Sequence, residues 1–169
     1  MPLSVGVESE CELLDFDLTD SPVSYDQIVT KLNEALVSGV KVRGCYDDGR
    51  KIRDLLLLRC VITLEYDHGY TKETLDSIAA LFKRDSLTVL KKGKNGIVDQ
   101  DIIPMIRRLH VSGAGEKEVA IEAVVCCQNP SINPMQLVAA IERYCPEWKP
   151  DHATSRRIEL YDTNETIFR

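Results

Sequence analysis

The chain has 169 residues, 44% hydrophobic and 28% charged, with a net charge of −6. Those values describe one folded domain, or two small ones sharing a sheet, and exclude a disordered tail, a collagen-like fibre and a coiled-coil rod. Apolar runs such as Leu55 to Leu58 fall far short of the roughly 20 residues that cross a membrane.

The charge is uneven. Residues 1–26 hold seven acids (Glu8, Glu10, Glu12, Asp15, Asp17, Asp20, Asp26) and no Lys or Arg, while the remainder carries 21 bases and 20 acids. A chain-wide basic footprint for nucleic acid is absent. One local excess lies at 83–94, where Lys83, Arg84, Lys91, Lys92 and Lys94 outweigh Asp85 by four charges; such a run reads first as a solvated face.

Along the chain, Leu14, Phe16 and Leu18 alternate as the buried face of a first strand, yet Glu8, Glu10 and Glu12 share their parity. A continuous strand would bury three carboxylates, at several kcal/mol each unless paired. An overhanging start, approached through Gly6, resolves this better than a bulge near Cys11 to Leu13. Residues 24–37 are expected to be helical, with Ile28, Val29, Leu32, Ala35 and Leu36 on one stripe and a Ser24–Gln27 capping box. Val40 and Val42 mark the next strand, and 50–58 read as a short helix leading into a strand at 59–66. There Cys60, Ile62, Leu64 and Tyr66 share a face. A second helix over 71–84 is capped by Thr71, with Leu75, Ile78, Ala79 and Phe82 buried. Leu87 and Val89 mark a strand, Gly93 to Gly96 a hairpin turn into 97–101, and Gly113 to Gly115 another turn between strands at Leu109–Val111 and 118–127. The helix at 134–144 has Asn133 as N-cap and Pro134 at its first position, and Ile158 with Leu160 mark the last strand.

This order predicts an α+β fold of ferredoxin-like split βαβ units, with a mixed, antiparallel-rich sheet and helices packed on one side. Residues 1–90 are expected to form a ferredoxin-like βαβ-βαβ unit. Residues 91–169 continue it with hairpins and an αβ unit, as parts of one domain over 1–169.

Chemistry-bearing motifs are sparse. The six cysteines (Cys11, Cys45, Cys60, Cys126, Cys127, Cys145) contain no C-x-x-C pair and no radical-SAM triplet. Reduced thiols in a cytoplasm fit that pattern, as does an N-terminus without a signal-peptide pattern. Gly113-Ala114-Gly115 precedes a strand and lacks the third glycine of a dinucleotide loop. His68, His110 and His152 have no partner spaced for a metal site, and no catalytic set or cofactor is expected. Asp99 and Asp101 share a strand face and could hold a divalent ion with a third oxygen ligand; a solvated strand edge is the plainer reading. Glu8, Ser9, Glu10 and Glu12 form an acidic ribbon, suited either to a basic partner or to guarding an edge strand. Lys91, Lys92 and Lys94 at the hairpin, and Arg156–Arg157, are candidate phosphate contacts.

Several segments together resemble a bacterial radical-SAM-associated domain of unknown function, found downstream of or fused to cobalamin-binding radical-SAM proteins. They are Pro2-Leu3-Ser4-Val5-Gly6-Val7-Glu8-Ser9-Glu10 leading into Leu14-Asp15, Leu32-Asn33-Glu34-Ala35-Leu36 with Gly39-Val40, the Lys91 to Asp99 hairpin, and the Asn133-Pro134 helix with Arg157 in the last strand. Members of that family begin with a strand, an Arg-rich His-Leu-Asp helix and a Gly-Phe-Asn-Pro loop, and this chain starts after them. The resemblance implies a missing N-terminal segment, whose basic helix would have supplied counter-charges to Glu8, Glu10 and Glu12. It also implies an accessory role to a radical-SAM protein, presenting RNA or a protein substrate, without membrane contact. The alternative is a divalent-metal-dependent hydrolase or transferase using Asp99 and Asp101 or the Glu8–Glu12 ribbon.

Overall fold

Eleven residues from Leu55 to Glu65 form the central strand of the molecule, because every second side chain is apolar and the backbone finds partners on both sides. The computed structural model describes residues 3, 6–19, 23–47, 50–93, 96–128 and 130–168. In chain order the elements are β1 (Val7–Ser9), α1 (Tyr25–Ala35), β2 (Leu55–Glu65), α2 (Lys72–Leu81), β3 (Thr88–Gly93), β4 (Gly96–Asp101), β5 (Ile106–Gly113), β6 (Glu118–Cys126), α3 (Met135–Tyr144) and β7 (His152–Asp162). Five strands form a mixed sheet in the order β1-β7-β2-β6-β5, and β3 pairs with β4 alone. Only β1 runs parallel to its neighbour; the other pairs are antiparallel.

The fold is α+β, and its ferredoxin-like part is β2-α2-β5-β6-α3-β7, with strand order fourth, first, third, second. That unit spans 55–162 rather than 1–90, and the β3–β4 hairpin is an insertion between α2 and β5. The chain divides into two compact units, Met1–Glu12 with Leu55–Phe168, and Leu13–Asp54.

In the first unit, Cys60, Ile62 and Leu64 of β2 and Val119, Ile121 and Ala123 of β6 are buried on one sheet face. Ile78 and Leu81 of α2 and Leu137 and Ile141 of α3 are buried with them. Each such side chain contributes about 1.5–3 kcal/mol by leaving water. The buried line of α2 is Thr74, Ile78 and Leu81, rotated from the expected stripe, so Leu75, Ala79 and Phe82 are half-buried. Thr71 caps this helix, with its side chain accepting from the Thr74 N–H. At α3, Asn133 Oδ1 accepts from the Met135 N–H at 3.0 Å, and the Gln136 side chain accepts from the Asn133 N–H at 2.9 Å. β3 and β4 pair in register from Thr88–Asp101 to Gly93–Gly96, while turn residues Lys94 and Asn95 lie outside the described residues.

The second unit is built differently. Ser24 and Gln27 form the expected capping box on α1, but Ile28 is the helix's one buried residue. No strand forms at Leu14–Leu18, where Leu14, Phe16 and Leu18 are 74%, 44% and 56% exposed. Val40 and Val42 also lie outside any strand. The Asn33 amide instead takes both backbone groups of Val42, accepting from its N–H at 2.8 Å and donating to its carbonyl at 3.1 Å. One side chain thus satisfies the groups that a neighbouring strand would have taken.

Candidate functional site

The acidic ribbon and the arginine pair, 148 residues apart at Glu8 and Arg156, meet at the sheet edge. β1 lies beside β7 with Glu8 opposite Arg156 and Ser9 opposite Arg157, and the Glu10 N–H donates to the Arg157 carbonyl at 2.9 Å. Arg156 Nε donates to Glu8 Oε2 at 2.7 Å, and its Nη1 lies 3.6 Å from Glu10 Oε1. Arg157 Nη1 donates to Glu12 Oε1 at 2.9 Å, and the Ser9 hydroxyl donates to the same oxygen at 2.7 Å. Glu8, Glu10 and Glu12 thus find counter-charges in Arg156 and Arg157 of β7, within the same chain. Glu8 and Arg156 are exposed, so their pair is worth at most about 1 kcal/mol.

Arg157 is different, because only 6% of its side chain is exposed. A bulge explains its burial. Arg59 pairs with Glu159 and Cys60 with Arg157, so Ile158 is the extra residue and the parity of β7 changes there. Before the bulge, Ser155 and Arg157 face the core side with Ile62 and Cys60; after it, Leu160 does. Burial pushes the Cys60 thiol up to about 12 and the Cys127 thiol up to about 11, although the Arg157 charge opposes both shifts. Cys11 is raised as well, first by burial and then by Glu12 and Glu159, against the Ser9 hydrogen bond and Arg157. At neutral pH these thiols are protonated and poor nucleophiles.

Asp99 and Asp101 have different partners within the chain. Asp101 Oδ1 accepts from the Leu87 N–H at 2.9 Å and the Ile103 N–H at 3.1 Å. Those hydrogen bonds, Leu87 first, hold its carboxyl below the usual carboxylate range against the opposing effect of burial. Asp99 instead lies 3.6 Å from Arg143 Nη1. Among the described residues, no group of three or more His, Cys, Asp or Glu is arranged to hold a metal.

The β3–β4 arm carries the remaining candidates. Lys91 Nζ donates to the Ser131 carbonyl at 2.9 Å, and the Gln100 amide donates to the same oxygen at 3.3 Å. The Gln136 amide reaches Gln100 Oε1 at 3.3 Å, linking the arm to the start of α3. Lys91 is thus an anchor of the arm. Lys94 lies outside the described residues, and of Lys92 only the strand backbone is described.

A second feature of this region escaped the sequence pattern. Arg84, just beyond α2, and Arg143, near the end of α3, both stack on the Tyr144 ring, at 5.6 and 5.4 Å from its centroid. Arg143 Nη1 and the Tyr144 hydroxyl donate to the Thr88 carbonyl at 3.1 and 2.9 Å, which ties the cluster to β3. Arg84 belonged to the basic run, but 59 residues separate it from Arg143.

A family model described as "Uncharacterized protein conserved in bacteria (DUF2344)" matches residues 1–134, well over half of the chain. The chain belongs to that family. The DUF2344 match takes in β1 to β6, including the Glu8–Glu12 ribbon, Arg84 and the β3–β4 arm, and stops before α3 and β7. Arg143, Tyr144, Arg156 and Arg157 therefore lie beyond it. No curated protein and no solved structure matches the chain. Among the described residues, no helix is long and apolar enough to cross a membrane.

Proposed function

We propose that this DUF2344 chain is a non-catalytic recognition module that serves a cobalamin-binding radical-SAM protein in a bacterial cytoplasm, docking protein through its β3–β4 arm. The single observation that carries the reading is the exposure of Leu90 and Ile97, at 62% and 68%, on one face of a two-stranded arm separate from the main sheet. Large apolar side chains exposed on one face of a hairpin are what a protein contact covers. A protein partner fits better than RNA. Arg156 and Arg157 face the chain's own carboxylates, and Lys91 is held by the Ser131 carbonyl, so these three expected phosphate contacts have other occupants.

The test is titration of the whole chain with the radical-SAM protein of the same bacterium, read by calorimetry and by co-elution. A stoichiometric complex is the expected result. Absence of any complex, with steeply salt-dependent binding of the chain to RNA in its place, would overturn the reading.

A further inference from the structure

Resting on that recognition reading, we propose that the arm takes an extended acidic segment of a protein partner, its apolar side chains covering Leu90 and Ile97 and its carboxylate held by Arg84 and Arg143 beside Tyr144. Three observations converge on this surface. The first is register. Leu90 is opposite Asp99, and Ile97 lies two residues from Asp99 on β4, so all three share one face of the arm. Diagonal neighbours across a pair of strands lie about 7–8 Å apart, close enough for one partner side chain to cover both.

The second observation is charge. Arg143 lies 3.6 Å from Asp99, beyond hydrogen-bonding length, while its Nη1 is anchored on the Thr88 carbonyl. Arg84 is exposed and rests on the Tyr144 ring, with no carboxylate partner among the described residues. Two guanidinium groups therefore rest on one ring, and Arg143 also lies beside Asp99 on the face that carries Leu90 and Ile97. An incoming carboxylate gains a charge-assisted contact there without the entropy loss of first ordering the arginines.

The third is the arm itself. A two-stranded ribbon presents backbone groups along its margins, and among the described residues β3–β4 has no third strand. An extended segment adds to such a ribbon through main-chain hydrogen bonds, and its alternate side chains then read the surface. Acidic and apolar residues at every second position, on one face of the segment, supply the matching pattern.

The probe is a short synthetic peptide with leucine and glutamate by turns at every second position and serine between them, so that both types share one face; a lysine-for-glutamate version is the control, and each is titrated into the isotope-labelled whole chain. Amide shifts are expected at Arg84, Leu90, Ile97, Arg143 and Tyr144 with the acidic peptide and none with the basic one. Arg84→Glu should weaken the binding about tenfold, the loss of one charge contact and the gain of one repulsion. Ile97→Glu, a substitution at an exposed position, should abolish it while leaving the unfolding midpoint unchanged. Shifts elsewhere, equal response to both peptides, the same shifts with an oligouridylate, or occupation of the arm by a second copy seen in light scattering would each overturn the inference. A radical-SAM protein that binds Ile97→Glu and wild type equally refutes this surface and leaves the recognition reading intact. Peptide shifts at the arm without any radical-SAM complex do the reverse.

Discussion

Residues 118–125 and residues 14–18 both alternate apolar with other side chains, yet they end in opposite environments. Val119, Ile121 and Val125 are fully buried, whereas Leu14, Phe16 and Leu18 are exposed. The difference lies in the backbone. β6 sits between β2 and β5, and its hydrogen-bonding groups are satisfied on both sides. Residues 14–18 belong to the unit Leu13–Asp54 and pair with no strand among the described residues. Alternation names a face; only a neighbouring strand turns that face into a core.

The strongest way to break this contrast is to truncate one side chain from each region. Ile62→Ala is expected to lower stability by about 2–5 kcal/mol, because a cavity is left in a fully packed layer. Leu14→Ala and Leu18→Ala should each change it by no more than about 0.5 kcal/mol. Urea unfolding followed by circular dichroism measures all three, and equal losses would mean that 14–18 contributes to a core after all.

The two arginines of β7 sharpen the same contrast at the sheet edge. Arg157→Ala should cost about 3 kcal/mol, since it removes a buried cation together with its packing and its contact to Glu12. Glu8→Gln, at an exposed pair, should cost less than about 1 kcal/mol. Raising the salt concentration should erase the second effect and leave most of the first.

Within Leu13–Asp54, Asn33→Ala removes two hydrogen bonds to Val42, worth about 1 kcal/mol each. Faster hydrogen exchange at the Val42 amide, with β2 amides unchanged, is the expected signature. Slower or unchanged exchange there would deny Asn33 its role.

The smallest effect at neutral pH concerns the thiols. Cys60 and Cys127 are raised to about 12 and about 11 in the folded chain. The folded state therefore holds protons that the unfolded chain releases from about pH 8.5 upward. This contribution to stability is complete below that point and is lost as pH rises toward 11 and 12. At neutral pH an alkylating reagent should reach half-buried Cys45 before the five buried thiols. Labelling of Cys60 as fast as Cys45 would contradict the assigned burial.

Much of the candidate surface was legible as parts. The Glu8–Glu12 ribbon, Arg156–Arg157 and the Lys91 hairpin all stand out in the sequence, because runs of like charge are visible without knowing neighbours. Their partners were not legible. Parallel pairing of β1 with β7 joins the ends of the chain, and no local pattern encodes a contact across that separation. Asp101 shows the same limit: as a strand carboxylate it resembled a metal ligand, whereas the structure makes it a cap for the Leu87 and Ile103 N–H groups.

What the sequence determined alone are the features set within a few residues: the capping box of Ser24, the Thr71 cap, the faces of β2 and β6, the turn after Gly113 and the α+β class. These depend on side-chain period and on hydrogen bonds between near neighbours, which the order of residues fixes. Tertiary structure alone decided the strand order, the burial of Arg157 and the meeting of Arg84 with Arg143 over Tyr144. A single extra residue at Ile158 reverses which side chains of β7 face inward. That reversal depends on how β7 fits against β2, a relation between distant segments that no local period contains.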